Sequence, residues 1–387
     1  MAREFDVIVY GASGFTGRLV AEYLHQTYGA RGPKWAMAGR SLSKLQEVRG
    51  ALGVAETIPL ITANSDDPAS LRAMAARATV VISAVGPYQL YGSDLVAACV
   101  ETGTAYVDLC GEPGWMRAMI DAHDARAKES GARIVFSCGF DSIPFDLGVL
   151  TLQEAAIARF GKPAPRVKCR VRTMKGGFSG GTAASLKATL AAAARDPSLV
   201  ALLASPFALT PGHHGPRQPT GLITEYDSTI AAWVAPFIMA PINTKNVHRT
   251  NFLLGGKYGT DFVYDEMIVA GLGDVGKAAA EALAKINPLA GDKGPKPGEG
   301  PSKEERDSGH YDILFVGLMP DGARIDTVVT GDRDPGYGST SKMLAESALC
   351  LAQDVTGEGG VWTPGAIMGD ALVKRLVAKA GMTFTAG

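Results

Sequence analysis

Gly11, Gly14 and Gly17 recur at a spacing that suits phosphate chemistry. They lie in Gly11-Ala12-Ser13-Gly14-Phe15-Thr16-Gly17. The β-branched run Asp6-Val7-Ile8-Val9-Tyr10 stands directly before them, and the helix-like Arg18-Leu19-Val20-Ala21-Glu22-Tyr23-Leu24 directly after. Strand, glycine turn and helix in that order is the setting in which such spacing binds a dinucleotide. Gly11 permits the tight turn, Gly14 lets backbone approach a pyrophosphate, and Gly17 lets the helix pack on the strand. Free N–H groups at the helix start then face the phosphates, and the helix dipole favours their charge. The pattern is GxxGxxG, which departs from the strict GxGxxG. The competing reading is a glycine-rich turn without a ligand.

The second strand, Lys34-Trp35-Ala36-Met37-Ala38-Gly39, ends at Arg40-Ser41, with Lys44 one turn on. A carboxylate about 20 residues beyond the glycines would bind a ribose 2′-hydroxyl. Here a guanidinium occupies that place, and its fork matches a 2′-phosphate that a carboxylate would repel. The sequence therefore favours NADP(H) over NAD(H). Otherwise Arg40 is a solvated loop cation.

Ala84-Val85-Gly86-Pro87-Tyr88 closes the fourth strand. In open α/β sheets ligands sit beyond the carboxyl ends of strands, so this loop is expected beside the nicotinamide. Tyr88 is the candidate catalytic residue, as a phenol proton donor. Its other reading is an anchoring ring with a hydrogen-bonded tip. Asp108 and Glu112 flank Cys110 and form either an acid pair with shifted pKa values or caps of the next helix. Cys110 and Cys138 read as small core residues, because hydride transfer needs no thiol. Asp141-Ser142-Ile143-Pro144 reads as a helix N-cap bordering the substrate. Ser179-Gly180-Gly181-Thr182 is either an anion-holding helix start or a plain turn. His213-His214 has no carboxylate to complete a metal set, so no metal site is expected. His25 and His123 read as surface positions on helices.

These groups need a frame to hold them. The chain has 387 residues, 46% of them apolar, which suits two domains. Its net charge of −1, without a basic run, excludes nucleic acid as a partner class. Cys99, Cys110, Cys138, Cys169 and Cys350 are scattered and odd in number, which fits a reducing compartment. No apolar leader and no spanning run is read, so the expected location is cytoplasmic, with membrane association left open.

Residues 1–142 alternate strand and helix. The expected strands end with Glu56–Ile61, Thr79–Val85, Ala105–Leu109 and Arg133–Ser137 after the first two. Six strands with interposed helices predict an α/β doubly wound parallel sheet of Rossmann type. Ile143–Phe160 reads as a helix. Residues 143–335 then read as a second α+β domain with a mixed sheet, for substrate or oligomerisation. Its strand candidates are Arg166–Met174, Phe262–Ala270, Tyr311–Leu318 and Ala323–Gly331, and its alanine-rich helix is Thr182–Ala194. Asn287–Gly309 reads as a mobile surface loop. Residues 336–387 read as a helical segment centred on Ser339–Val355, with a return to the first domain left open. The apolar Ile230–Ile242 is read as a buried helix, a lipid tunnel or a membrane-facing patch.

Several segments together resemble the saccharopine dehydrogenase-like oxidoreductases, and within them the bacterial trans-acting enoyl reductase type. They are the glycine turn, Ala38-Gly39-Arg40, Val85-Gly86-Pro87-Tyr88, Tyr106–Glu112 and Cys138–Gly148. Ser179–Thr182, Asp334–Thr340 and Gly360–Ala366 complete the set, which spans nearly the whole chain. The resemblance implies a Rossmann domain, a second α/β domain and NADP(H). For the enoyl reductase type it implies reduction of a double bond on a lipid-like or carrier-bound acyl chain. An alternative is a saccharopine-type amino-acid oxidoreductase, and a third reading is a non-catalytic NADP-binding protein at lipid surfaces. The partners compatible with these readings are an acyl substrate, a second copy of the chain in a homodimer, and a lipid surface.

Overall fold

The computed structural model describes residues 3–29, 32–176, 180–286 and 299–387. Its first strands are β1 (Phe5–Tyr10), β2 (Trp35–Gly39), β3 (Leu60–Thr62), β4 (Ala78–Ser83), β5 (Ala105–Asp108) and β6 (Arg133–Val135). They are followed by β7 (Arg166–Lys175), β8 (Glu225–Asp227), β9 (Ala232–Pro236), β10 (Val263–Gly271), β11 (His310–Leu318) and β12 (Arg324–Gly331). Late in the chain come β13 (Gly360–Trp362) and β14 (Met382–Ala386).

The first sheet runs β13-β6-β5-β4-β1-β2-β3, with all its pairs parallel. Parallel strands need crossovers, and helices such as Phe15–Tyr28 and Leu42–Ala51 supply them. In Phe15–Tyr28 the buried residues Gly17, Val20, Ala21 and Leu24 repeat at helical spacing, which fixes the face laid on the sheet. Both faces of the sheet are covered, so Val7, Ile8, Val9, Val80, Val81 and Ile82 are all fully buried. The strand order reverses between β1 and β4. That reversal leaves a crevice beyond their carboxyl ends.

The second sheet runs β14-β12-β11-β7-β10-β9-β8 and is mixed. Its β7–β10 pair is parallel, and the others are antiparallel. The expected α/β architecture is therefore present, with a seventh strand in the first sheet.

Several local readings change. The segment before β3 is a turn, because the Arg49 guanidinium binds the carbonyls of Glu56 and Ile58 at 3.0 and 3.1 Å. The stretch Ile230–Ile242 is not one helix. It contains strand β9 and then the start of the helix Ala240–Leu253. Residues 287–298 of the expected surface loop lie outside the described residues. Beyond them, Lys303–Ser308 is a helix closed by a Ser302/Glu305 capping box. The segment 336–387 carries two strands besides its helices. Strand β13 joins the first sheet beside β6, and β14 joins the second beside β12. The helix Thr340–Gln353 packs on β1, β4 and β5. Among the described residues no helix is long and apolar enough to cross a membrane.

The second sheet encloses a charge network. Arg170, fully buried on β7, donates from Nε to Asp227 at 2.6 Å and from a terminal nitrogen to Asp265 at 2.7 Å. Lys168 adds a 2.9 Å bond to Asp227, and Arg166 pairs with Asp265. Burial alone would raise the Asp227 carboxyl. The Thr229 hydroxyl and the Lys168 and Arg170 cations outweigh it and hold the group below its ordinary range. Removing the central cation leaves two carboxylates with reduced compensation. Arg170→Met is expected to cost about 3–5 kcal/mol in urea-induced unfolding. An unchanged midpoint would show that Lys168 and Arg166 suffice.

Candidate active site

One cavity of about 830 Å³ joins the crevice of the first sheet to the second domain. This lies within the range of small-molecule sites, roughly 300–1,000 Å³. Gly11, Ser13, Gly14, Phe15 and Thr16 form one wall, and Ala84, Val85, Gly86 and Pro87 lie beside them. Arg40, Asn64 and Ser65 stand at one end. Leu203, Ile238, Met239, Pro241, Ile242 and Lys245 form the wall from the second domain.

The glycine turn owes its shape to close contacts. Gly11 has φ +86°, a region that side chains rarely adopt. A Cβ on Gly17 would stand 2.1 Å from the Gly11 carbonyl oxygen, so the helix meets the strand end only with glycine there. A Cβ on Gly14 would meet only that same oxygen, at 3.3 Å, and otherwise open space. Phe15 is held by the Tyr337 ring, edge-on at 5.1 Å, and by the Arg306 guanidinium over its face at 5.7 Å.

The sequence candidates divide between wall and support. Arg40 is on the wall and exposed, with no carboxylate partner among the described residues. Ser41 is off the wall, because it caps the helix Leu42–Ala51 by accepting from the Lys44 backbone N–H at 3.4 Å. Lys44 is exposed and also off the wall. Ala12 is fully buried beneath the turn, and Gly17 lies at the helix–strand contact.

Tyr88 lines the cavity but is nearly all buried, with its ring 5.5 Å from Trp115. Its hydroxyl donates to the Ser83 carbonyl at 3.0 Å and accepts from the Leu109 N–H at 3.4 Å. Burial, with Asp108 nearby, pushes the phenol well above its ordinary range. Its one proton is engaged in anchoring.

Asp108 and Glu112 hold loops, and neither side chain caps the helix that follows. Asp108 accepts from the Cys110 and Ser137 N–H groups, both at 2.9 Å, and from Tyr106 at 3.0 Å. Burial pushes it up to about 7 against those bonds. Glu112 accepts from the Tyr88 and Gln89 N–H groups, both at 2.9 Å, and from Ser185 at 2.7 Å. It therefore fixes the start of the short helix Tyr88–Tyr91. Cys110 and Cys138 are buried thiols raised by burial, with Asp108 adding to the shift. His213 packs edge-on against Phe207 at 5.7 Å.

Asp141 does not cap a helix. The N-cap is Ser142, and its hydroxyl instead accepts from Asn246 Nδ2 at 2.8 Å. Asp141 lines the cavity without a hydrogen-bond partner among the described residues. Burial pushes its carboxyl up to about 7. In the segment Ser179–Thr182, Ser179 lies outside the described residues, and the helix begins at Gly180.

Sequence reasoning gave no role to Lys245, Asn64 or Ser65. Asn64 and Ser65 could have been found by extending the second-strand argument to the end of the next strand. Lys245 has no local signal, because it sits on a helix that reads as polar and solvated.

Comparison with known proteins places this geometry. The family model for the saccharopine dehydrogenase NADP binding domain matches residues 7–135. A Mycobacterium tuberculosis protein provisionally named a trans-acting enoyl reductase is 43% identical, over 97% of this chain and 96% of its own. A Mycobacterium bovis protein named a trans-acting enoyl reductase is 37% identical, over 97% of this chain and 96% of its own. Among solved structures, the apo saccharopine dehydrogenase (L-Glu forming) of Saccharomyces cerevisiae superposes with a TM-score of 0.57. That pair is 11% identical over 98% of this chain and 99% of the other, so the likeness concerns the fold.

The raised Asp141 carboxyl has a consequence for stability. A carboxyl that titrates near 7 when folded, against 3.8 unfolded, keeps its proton in the folded chain while the unfolded chain has lost it. Its contribution is full below about 4 and disappears as pH rises through about 7. Asp141→Asn has no such ionisation. The variant's melting temperature, relative to the parent, should therefore rise between pH 4 and pH 8. A constant difference across that range would show that the carboxyl is not raised.

Proposed function

The chain belongs to the saccharopine dehydrogenase-like, trans-acting enoyl reductase family of NADP-dependent oxidoreductases, and from that premise we propose that it reduces an enoyl or related double bond on a lipid-like or carrier-bound acyl chain. The observation that carries this reading is the character of the cavity described above. Its polar end is the glycine turn and Arg40, and its wall in the second domain is Leu203, Ile238, Met239 and Ile242. Arg40 and Lys245 are the only cations on its described wall. A dicarboxylic amino acid would need several desolvated cations for its carboxylates. An acyl chain gains roughly 0.8 kcal/mol per buried methylene.

The residues fit the cofactor. The surface above Gly14 is open to the cavity, as backbone contact with a pyrophosphate requires. The N–H groups that begin the helix Phe15–Tyr28 would hold the phosphates, and Arg40 would hold the 2′-phosphate. Ala84, Val85, Gly86 and Pro87 line the same cavity and would flank the nicotinamide. When bound, NADPH supplies the hydride that reaches the β carbon of the enoyl group. Asp141 then gives the α carbon its proton, since its carboxyl lines the cavity and burial favours the protonated form by raising it to about 7. Tyr88 holds the wall in place and passes no proton.

Two measurements test this. NADPH oxidation followed across enoyl thioesters of increasing chain length should show kcat/KM climbing with length. Rates indifferent to length, or turnover of saccharopine with NADP, would favour the amino-acid reading. Arg40→Ala should weaken NADPH by about 1.5 kcal/mol, near tenfold, and leave NADH unchanged. The low end of the range for charged hydrogen bonds applies because Arg40 is exposed. Equal NADPH affinity in the variant would remove Arg40 as the selector.

A further inference from the structure

The helix Ala240–Leu253 is buried along much of its length although most of its buried residues are polar. Nearly every one is fastened to another element. Asn243 donates to Glu266 on β10 at 2.9 Å, and Asn246 to Ser142 at 2.8 Å. Arg249 donates to the carbonyls of Leu209 and Val361, both at 2.5 Å. Thr250 donates to Asp146 at 2.5 Å and shares a 2.6 Å hydroxyl contact with Thr363. His248 is packed between the rings of Phe207 and Phe262.

Lys245 is the exception. It is 4% exposed and lines the cavity beside Pro241 and Ile242. Its ammonium makes one hydrogen bond, to the Pro241 carbonyl one turn back, at 2.8 Å. No ion pair to a carboxylate is formed among the described residues, and burial alone shifts the amine. An ammonium has three N–H donors, so two remain for whatever enters. A cation held this deep without a carboxylate is unfavourable unless a ligand compensates it. Burial lowers it to about 8, so it stays mostly charged at neutral pH. Its helix is fastened at Asn243, Asn246, Arg249 and Thr250, which fixes the place on the wall from which the amine extends.

We infer that Lys245 is a further catalytic residue, which donates to the carbonyl oxygen of the acyl thioester and holds the negative charge that develops there. The inference rests on the proposed acyl reading. Hydride arriving at the β carbon displaces the double-bond pair towards the α carbon and the carbonyl pair onto oxygen. Lys245 binds that oxygen through N–H and keeps its own proton. When the pair returns, the α carbon takes a proton from Asp141, and one hydride and one proton have been added across the double bond. A donor placed where charge develops matters most in a site shielded from water. The ligand class it selects is a thioester or another conjugated carbonyl. An isolated alkene offers no oxygen to accept the bond.

The test combines turnover with labelling. The first step is NADPH oxidation with the best enoyl thioester. Lys245→Met keeps length and removes the donors, and should lower kcat by roughly 100- to 1,000-fold with a much smaller change in KM. Lys245→Arg should recover part of the loss. NADPH fluorescence titration of both variants should match the parent, which shows an intact fold. Separately, the parent is treated with an amine-acylating reagent, and labelling at Lys245 is read by mass spectrometry. A saturated acyl thioester should protect Lys245, and an alcohol of the same chain length should not. Within twofold of parental kcat in Lys245→Met, or equal protection by thioester and alcohol, overturns the inference. No turnover of any enoyl thioester by the parent overturns the acyl reading itself, while the labelling result still decides whether Lys245 meets a thioester carbonyl.

Discussion

The helix Phe15–Tyr28 can start against the end of β1 only because Gly17 has no side chain. Its backbone rests on the Gly11 carbonyl, where a Cβ would stand 2.1 Å away. That contact sets where the helix N–H groups point. It also sets how closely β4 can end beside them, since a Cβ on Gly11 would strike Val85 at 2.7 Å. The strand order reverses at this place, so the crevice between β1 and β4 is a product of topology and of two missing side chains together. Every other wall of the cavity is built outwards from it.

The supports around the crevice share a pattern. Carboxylates there bind backbone N–H groups and hold loops in shape. Asp108 gathers the turns after β5 and β6, and Glu112 the turn after β4. Three loops from adjacent strands are thereby tied by two acids. The rings of Tyr88, Trp115 and Phe136 fill the space behind them. On the far side the helix Ala240–Leu253 does the corresponding work with amides and an arginine. Two charged groups in this region without an oppositely charged partner among the described residues, Asp141 and Lys245, both face the cavity.

What could be read from the sequence follows the range of the interactions. The glycine turn and Arg40 are local features with fixed offsets, so residue types and spacing disclose them. Ile143–Phe160 was legible to the residue because its apolar run is long and ends at Gly161 in a left-handed conformation. The strands β13 and β14 were not, being short segments whose partners lie far away in sequence. Tyr88 lines the cavity, but its hydroxyl partner, the carbonyl of Ser83 at the end of β4, has no sequence signature. Lys245 was hidden for the opposite reason. Asn243, Thr244, Asn246 and Arg249 make its helix look solvated, and only tertiary contacts show that it is buried.

Strands β13 and β14 have a further meaning for the chain as it is made. Synthesis reaches Gly360 after every other strand of the parallel sheet exists, and reaches Met382 after every other strand of the mixed sheet. Until then β6 and β12 present rows of unpaired backbone groups, the surfaces most prone to pairing with a neighbouring chain. Both sheets are sealed by one late stretch, whose Val361 carbonyl also receives Arg249 from the cavity helix. Completion of the cavity is thus tied to the end of the assembly order, and a nascent chain holds a glycine turn long before it holds a finished pocket.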